Sequence, residues 1–416
     1  MTNEITIDQS LDHIDGSLWD RCRAVLVFLY ISMSFTNQYI RIGRFPVFIF
    51  IFFLYLAIRT WQYGFSINSE LKKIDERYVY LIPFFLIWIN YSIIYALFLN
   101  NEYGWRITLY LFLNSMGFCY ILADCYSSTM IRKTFFWGMI LGVSVNLILG
   151  FWEIATGNHI MGLTEDYIRR FANTPLGFFV NANDFSTIMV ISIVGVIISF
   201  LQDRFIYSIG IVLLSSIVVY MVFETHSIIG ISAVICMPIL TFFHYNISRE
   251  KKSVFAFLIS FMCFLVIIFL LSFQEYYDYL KGMINEFDET SFTDRFYLYD
   301  KTWFLFEDSY YMGIGPGQNN VIGIGSVHNF LLEIISEYGF VFGSIVLLFY
   351  LMVTFKQNRK NGSLINSCVL VFCILLIPLS ICSSSMTKIF PIWPILGYIL
   401  SYSELTTCKK AKSVLS

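Results

Sequence analysis

Residues 313–343, GIGPGQNNVIGIGSVHNFLLEIISEYGFVFG, pass from a glycine-rich run through a polar Ser-Val-His-Asn sequence into an apolar segment. The apolar segment carries Glu333 and Glu337, and it enters a hydrophobic span near Gly339. Ionisable side chains at the end of a membrane helix cost free energy, and they are therefore usually functional. The stretch therefore predicts one wall of an active site on the outer face of a membrane.

The composition of the whole chain is typical of a membrane protein. Hydrophobic residues make up 57%, charged residues 13% and aromatic residues 19% of its 416 residues. Soluble domains are about 45–50% apolar and about 25% charged, so this chain has too little polar surface for a soluble monomer. The net charge of −2 gives no sign of nucleic-acid binding. Nine scattered cysteines without a CxxC pair favour small core residues over a metal site or a disulfide framework.

Twelve apolar segments approach the roughly 20 residues that a helix needs to cross a bilayer. With the N-terminus in the cytoplasm, 18 of the 27 Lys and Arg residues fall on the inside, as the positive-inside rule requires. These patterns predict an all-α polytopic membrane protein with an N-terminal cytoplasmic tail (1–23), a single transmembrane domain (24–403) and a C-terminal cytoplasmic tail (404–416). The first span would be an uncleaved anchor, because the tail before it lacks the features of a signal peptide. The predicted spans lie near 24–38, 43–60, 78–98, 105–125, 132–152, 184–201, 205–223, 227–245, 253–273, 339–355, 364–383 and 388–403.

Two connections on the outside stand out by their length, at about 153–183 and 274–327. Loops longer than about 12–15 residues are usually functional or disordered, and the aromatic content of these two disfavours disorder. In the second loop, aromatic residues recur at i, i+4, i+7 and i+11, which indicates one face of a short surface helix. This face either packs on the membrane or the helical bundle, or stacks on sugar rings. The residues are Phe292, Phe296, Tyr299 and Trp303.

Three arginines lie in the two long loops on the predicted outer side of the membrane, although basic residues concentrate on the cytoplasmic side. Arg169 and Arg170 lie in the first long loop, and Arg295 lies beside the aromatic face in the second. Each either pairs with a loop carboxylate or binds phosphate through its planar guanidinium group. A diphosphate bound without a metal ion needs at least two such cations, and the sequence contains no metal-ligand cluster.

His328 is one of only five histidines and follows the glycine run. With Ser326 as N-cap, it would occupy the first turn of a helix, where unpaired N–H groups favour an anion. An imidazole is a suitable general base near neutral pH, although a lone histidine is more often structural. Glycines let the backbone approach a ligand closely, but the run lacks the GK[ST] of a P-loop and follows no strand. Its glycines are Gly313, Gly315, Gly317, Gly323 and Gly325.

The run GxGPG followed by HNxxLExxxExG, after a large external loop, resembles the O-antigen ligase/polymerase superfamily. WEIATGNH, from Trp152 to His159, resembles the Glu-x-x-Thr-Gly segment of that family, and Arg170 followed by GFFVNAND resembles its Arg…Gly…Asn-Pro-Asn pattern. Arg295 stands where the family has the arginine of its large loop. The likeness covers roughly 150–345. Two departures are Ala182 in place of proline, and Thr225-His226-Ser227 where many members have Ser-Arg.

The resemblance implies transfer of a glycan from undecaprenyl diphosphate to a sugar hydroxyl, without a cofactor, at the outer face of a bacterial cytoplasmic membrane. It implies His328 as the catalytic base of an inverting reaction, with Glu333 or Glu337 next in line, although a structural role for both is equally compatible with the sequence. Arg170 and Arg295, with Arg169, would bind the diphosphate. The supporting residues implied are Asn329, Glu333, Glu337, Asn183 and Glu153.

Polymerase and ligase share these motifs. The resemblance favours a polymerase of lipid-linked repeats for an O-antigen, capsule, exopolysaccharide or teichuronic-acid type of polymer, because polymerases are the more numerous and diverse members. A ligase that moves finished glycan to another acceptor is the alternative. A flippase or other transporter of lipid-linked oligosaccharide is a third possibility, but it predicts polar residues deep in the spans and a pseudo-repeat between halves. Expected partners are the lipid-linked glycan, the bilayer, and a flippase and chain-length regulator of the same pathway.

Overall fold

The computed structural model describes residues 17–36, 39–43, 45–64, 67–74, 76–99, 102–160, 173–179, 181–203, 208–249, 290–321, 329–359, 363–382 and 388–402. Helices dominate these residues. In chain order the helices are α1 (Leu18–Ser34), α2 (Val47–Tyr63), α3 (Ile67–Ile74), a 3₁₀ turn (Glu76–Tyr80), α4 (Leu81–Leu99), α5 (Glu102–Ser127), α6 (Thr129–Thr156), α7 (Ala182–Asp203), α8 (Ser208–Glu224), α9 (Ile228–Arg249), α10 (Thr290–Asp308), α11 (Gln318–Val321), α12 (Phe330–Arg359), α13 (Leu364–Cys382) and α14 (Ile392–Tyr402).

The predicted helical character is confirmed for eleven of the twelve apolar segments, each of which coincides with a helix. The twelfth, 253–273, lies outside the described residues. Within the described part, five helices are long and apolar enough to cross a membrane: Tyr78–Leu99, Glu102–Ser127, Thr129–Thr156, Ala182–Gln202 and Phe330–Thr354. A multi-pass helical membrane protein is thus supported, while the count of twelve spans and their sidedness stay predictions.

The helical structure agrees with the expected all-α class, and one short pair of strands lies between α1 and α2. Strands β1 (Arg41–Ile42) and β2 (Phe45–Pro46) pair antiparallel, with Arg41 opposite Pro46 and Ile42 opposite Phe45. Gly43 has a φ of 61°, a conformation that glycine adopts without the steric cost of a Cβ atom. The chain can therefore reverse within two residues before α2 begins.

The chain divides into two compact units. The first comprises residues 1–94, 105–234 and 386–416, and the second comprises 95–104 and 235–385. In the first unit, α1 packs against α2 and α6, while α7 packs against α6 and α8. In the second unit, α12 packs against α10, α11 and α13. The single transmembrane domain expected from the sequence stays a prediction.

Small residues on α6 let α1 approach closely in the first unit. Gly138 and Gly142 are four residues apart. A Cβ atom at Gly138 would lie 2.3 Å from the side chain of Ile31 on α1, and one at Gly142 would lie 2.4 Å from that of Phe35 at the end of α1. The hydroxyl of Ser32 donates to the carbonyl oxygen of Gly138 at 3.2 Å. Small-xxx-small spacing is a common means of packing helices in membranes, where burial from water does not drive association. This contact fixes α6, which carries Glu153 near its C-terminus.

Ionisable residues are buried where α1, α2 and α5 meet in the first unit, with Arg23 of α1 at 3.8 Å from Asp124. The Arg59 guanidinium donates to Asp124 at 2.8 Å and also contacts Glu70, and the Tyr55 hydroxyl donates to Asp124 at 2.7 Å. Arg59 and Asp124 are 1% and 2% exposed. Because removing one partner would leave an uncompensated buried charge, these groups hold the three helices and α3 together.

Four of the nine cysteines are buried free thiols, as expected for small core residues, and Cys22 and Cys236 are half-buried. Cys263, Cys382 and Cys408 are not covered by the description of side chains. The buried thiols are Cys119, Cys125, Cys368 and Cys373.

Candidate functional site

The candidate residues fall into two groups. His328, Arg169 and Arg170 lie outside the described residues, and Arg295 lies on α10 at a position where only the backbone is described. The structure describes the supporting residues Asn329, Glu333 and Glu337 in the second unit, and Glu153 and Asn183 in the first.

Asn329 directly precedes helix α12 and caps its N-terminus. Its side-chain oxygen accepts a hydrogen bond from the backbone N–H of Leu332 at 3.1 Å, and its carbonyl accepts one from Glu333 at 2.8 Å. This is the geometry of an N-cap, for which asparagine is among the preferred residues. The expectation that Ser326 caps this helix is wrong, because the helix begins at Phe330. His328 therefore stands next to the cap residue rather than in the first turn.

The first part of α12 ends at Gly339, whose φ of 86° and ψ of 164° are not helical. The segment before this break carries Glu333 and Glu337, which are 6% and 1% exposed. One Glu337 oxygen accepts the backbone N–H of Gly317 at 2.9 Å, and the other accepts the Asn319 side-chain amide at 3.2 Å. The carboxylate of Glu337 thus holds the preceding loop, a structural role that the sequence left open.

Backbone hydrogen bonds also tie the glycine loop to α12. The N–H of Ile314 donates to the carbonyl oxygen of Ser336 at 2.8 Å, and that of Gly315 donates to the carbonyl oxygen of Glu337 at 2.9 Å. A Cβ atom at Gly313 would lie 2.5 Å from the backbone nitrogen of Gly339. The expected approach of these glycines to a ligand is therefore wrong for Gly313, because its close neighbour is α12 of the chain itself. Gly323 and Gly325 lie outside the described residues.

Helix α10 confirms the predicted helix in the second loop, and the side chains of Phe292 and Phe296 lie outside the description. Thr302 and Phe306 are 0% and 1% exposed, whereas Trp303 is 47% exposed and its indole N–H donates to Glu307 at 2.8 Å. Packing in the core is therefore not the role of Trp303. The position of Arg295 precedes Thr302 by seven residues and Phe306 by eleven, so the helical period places it on their face of α10.

In the first unit, Glu153 lies in the last turn of α6 and its side chain is fully buried. One carboxylate oxygen accepts the backbone N–H groups of Leu176 at 2.6 Å and Gly177 at 2.8 Å. The other lies 3.2 Å from Nδ1 of His159, which is also buried. The helix ends in a left-handed C-cap at Gly157, with a φ of 68°, which turns the chain back so that His159 reaches Glu153.

His159 was missed as a candidate because the sequence places it beyond the end of the helix. The usable signal was the glycine at 157, since a left-handed C-cap reverses the chain at that point. An acidic residue in the last helical turn and a histidine shortly after such a glycine can then meet. WEIATGNH contains both features.

Asn146, two turns before Glu153 on α6, was also missed. Its side-chain oxygen accepts the N–H of Phe178 at 3.0 Å, and its amide donates to the carbonyls of Gly142 at 3.0 Å and Phe35 at 3.3 Å. Residues 174–179 are all buried. The external position expected for the connection at about 153–183 stays a prediction. Helix α6 extends to Thr156, and the segment 174–179 belongs to the core because α6 supplies acceptors for its N–H groups.

Asn181 caps helix α7, and Asn183 follows within its first turn. The side-chain oxygen of Asn181 accepts the backbone N–H of Asn183 at 2.8 Å, and its carbonyl accepts that of Asp184 at 3.1 Å. Ala182 occupies the first helical position, where proline is favoured because its missing N–H would have no helical partner. The departure from Asn-Pro-Asn thus leaves the helix start intact.

Within the described residues, no three His, Cys, Asp or Glu side chains are close enough together to hold a metal ion.

Residues 210–348 match a protein-family model described as O-antigen ligase, which covers about a third of the chain. The matched segment contains Arg295, His328, Asn329, Glu333 and Glu337, and it ends within α12. Glu153, Arg169, Arg170 and Asn183 precede it, so the resemblance over 150–209 stays an expectation. A search of curated proteins and a search of solved structures gave no match.

Proposed function

We propose that this chain, whose residues 210–348 match the O-antigen ligase family model, polymerises lipid-diphosphate-linked oligosaccharide repeats into a surface polysaccharide. The reaction takes place at the outer face of a bacterial cytoplasmic membrane. The observation that carries the proposal is the matched segment itself, because it contains both His328 and Arg295 and ends on the helix that Asn329 caps.

The proposed step is an inverting glycosyl transfer. The acceptor hydroxyl attacks the anomeric carbon of the donor sugar, and His328 takes the hydroxyl proton. The bond between the anomeric carbon and the diphosphate oxygen breaks, and the leaving undecaprenyl diphosphate keeps the electron pair. One glycosidic bond forms as one sugar–phosphate bond breaks, with inversion at the anomeric carbon.

The three arginines stabilise the leaving group in this proposal. Negative charge grows on the diphosphate as the bond breaks, and fixed cations at that point lower the barrier. A guanidinium group binds two phosphate oxygens at once, which gives orientation as well as charge. The resemblance implies Arg170 and Arg295, with Arg169, as the residues of this clamp. The clamp needs no metal ion.

His328 directly precedes the cap of α12 in the sequence, and this position suits a general base that acts close to the anionic diphosphate. The first N–H groups of α12 lack helical acceptors, and the side chain of Asn329 accepts the one of Leu332. The remaining positive end of the helix attracts negative charge close to His328. Asn329 supports the base by fixing where the helix starts, and Glu337 supports it by holding the loop that precedes residues 322–328.

Replacement of His328 tests the proposal. In a deletion strain complemented with matched expression, His328→Ala should lower polymer synthesis by about 10²-fold or more, the usual range for a general base. His13→Ala, in the N-terminal tail, is the control and should retain synthesis. Full synthesis by His328→Ala would show that another residue is the base. Arg295→Lys keeps the charge but loses the planar fork, so undiminished synthesis would argue against bidentate diphosphate binding.

A ligase is the second candidate function, favoured by the description of the matching family model. The two functions differ in what accumulates when the protein is lost. A deletion strain that accumulates lipid-linked single repeats has lost a polymerase, whereas one that accumulates lipid-linked long chains has lost a ligase. Mass spectrometry of extracted lipid-linked glycans distinguishes these outcomes.

A further inference from the structure

The carboxylate of Glu153 joins the two ends of one segment of the chain. Its Oε1 atom lies 3.2 Å from Nδ1 of His159, just after the end of α6. Its Oε2 atom accepts the N–H groups of Leu176 and Gly177, at 2.6 Å and 2.8 Å. The side chains of Glu153 and His159 are both fully buried. One buried carboxylate therefore contacts the chain on both sides of the 160–175 segment.

Arg169 and Arg170 belong to that segment. We propose that Glu153 and His159 form a clasp that fixes both ends of the 160–175 segment, and that both are positioning residues for the diphosphate of the donor. The clasp is defined by Glu153, His159, Leu176 and Gly177. This inference rests on the proposed function, because it takes Arg169 and Arg170 as the residues that bind the diphosphate.

Burial makes the clasp act as a unit. A carboxylate removed from water needs partners for its charge: one oxygen accepts two N–H groups, and the other lies 3.2 Å from Nδ1 of His159. If either side opened, the buried carboxylate would lose part of that compensation, so opening is unfavourable at both ends. Holding the ends of a loop together also restricts the conformations of the residues between them.

A restricted loop matters because the clamp acts by position. Electrostatic stabilisation of a leaving group requires that the charges already lie where negative charge develops. A misplacement of about 1 Å from a change far from the reacting atoms can cost about 10²-fold in rate. Glu153 and His159 touch no reacting atom in this proposal and act through Arg169 and Arg170.

Trypsin measures the clasp independently of any activity, because it cleaves after Arg169 and Arg170. Cleavage of the purified full chain in nanodiscs, followed by mass spectrometry of the peptides that begin at Arg170 or Phe171, reports how often this segment opens. In Glu153→Ala, cleavage there should accelerate about tenfold or more relative to other tryptic sites. Thr156→Ala is the matched control, since Thr156 lies in the same helical turn, is exposed and bonds only to its own helix end in the bonds described.

Two milder variants keep the test decisive if Glu153→Ala does not fold. Glu153→Gln retains one oxygen that can accept both N–H groups, so cleavage should rise by no more than about threefold. His159→Ala releases only one end and should give an intermediate acceleration, larger than that of Glu153→Gln. Cleavage at the control rate in Glu153→Ala, or in His159→Ala where the former does not fold, overturns the clasp.

Kinetics with a lipid-diphosphate-linked donor test the positioning role. Glu153→Ala and His159→Ala should lower kcat and kcat/KM for the donor about tenfold, with KM changed less than about threefold, and Glu153→Gln should restore most of the rate. Faster cleavage with an unchanged kcat overturns the positioning role while leaving the clasp in place. If the wild-type protein uses no such donor, the proposed function fails, and the tryptic rates still decide whether the clasp exists.

Discussion

Two buried glutamates, one in each unit, hold a neighbouring segment by different means. Glu153 in the first unit and Glu337 in the second both accept the N–H group of a glycine, Gly177 and Gly317 respectively. The loop held by Glu337 is also bonded to α12 through backbone groups, as at Ile314. In the described hydrogen bonds between 174–179 and α6, the backbone N–H groups of 174–179 instead donate to side chains of α6. The second loop is therefore held by backbone bonds as well as by Glu337, whereas the first segment is held by polar side chains of α6.

Glycine substitutions in the second unit should have the largest effect. Gly339→Ala would put a Cβ atom 2.5 Å from the carbonyl oxygen of Met312, at a φ of 86° that L residues rarely adopt. The backbone strain and the clash are each worth about 1–3 kcal/mol, so the variant should lose about 3 kcal/mol of stability. Thermal unfolding in detergent measures the change as a drop in the midpoint temperature.

Gly43→Ala is the matched control for Gly339→Ala. Gly43 also has a positive φ, of 61°, but its Cβ atom would meet no atom within 4 Å. Only the conformational cost remains, about 1 kcal/mol. Equal losses in the two variants would contradict the claim that contact between backbones holds the second loop.

Asn146→Leu should have the next largest effect, now in the first unit. The side chain is 0% exposed, and its removal leaves the N–H of Phe178 and the carbonyl of Phe35 without this partner in the interior. A buried polar group without a hydrogen bond costs about 1–3 kcal/mol, so a loss of about 2 kcal/mol is expected. The control is Asn90→Leu, because Asn90 is exposed and bonds only to the carbonyl of Leu86 in the bonds described. A melting temperature that Asn146→Leu leaves unchanged would show that side chains of α6 do not hold 174–179.

The helices were predictable because their signal is local. A run of roughly 20 apolar residues can satisfy its backbone in a membrane only as a helix, whatever lies around it. Eleven predicted segments accordingly coincide with helices, and only their ends shifted, as when α6 continued to Thr156 beyond the predicted 152. Helix ends depend on capping, and caps depend on one or two residues.

The supporting contacts were less predictable because their partners are distant in sequence. Asn146 meets Phe178 and Glu337 meets Gly317 only after the chain has folded back. The glycine run predicted close backbone approach correctly, but a sequence does not state whether the neighbour is a ligand or another part of the chain. At Gly313 the neighbour is Gly339. The roles of Arg169, Arg170, Arg295 and His328 stay predictions from the resemblance.

The asparagine caps should give the smallest stability effects, and they separate structure from catalysis. Asn181→Ala and Asn329→Ala each remove one N-cap bond, to Asn183 and Leu332 respectively, and each should cost about 1 kcal/mol. Replacement by serine keeps a capping oxygen, so each serine variant should lose only about a few tenths of a kcal/mol of stability. Melting temperatures of the four variants check the expectation that the two caps are equivalent.

Polymer synthesis should then distinguish the two caps, because only Asn329 adjoins the proposed base. If Asn329 acts by fixing the start of α12, synthesis should fall in Asn329→Ala and recover in Asn329→Ser, while both Asn181 variants follow their stability. Equal loss in Asn329→Ser and Asn329→Ala, at unequal melting temperatures, would mean that the amide group itself contacts the substrate. Retained synthesis in Asn329→Ala would instead show that the reaction does not depend on the cap of α12, and that Asn329 does not support His328.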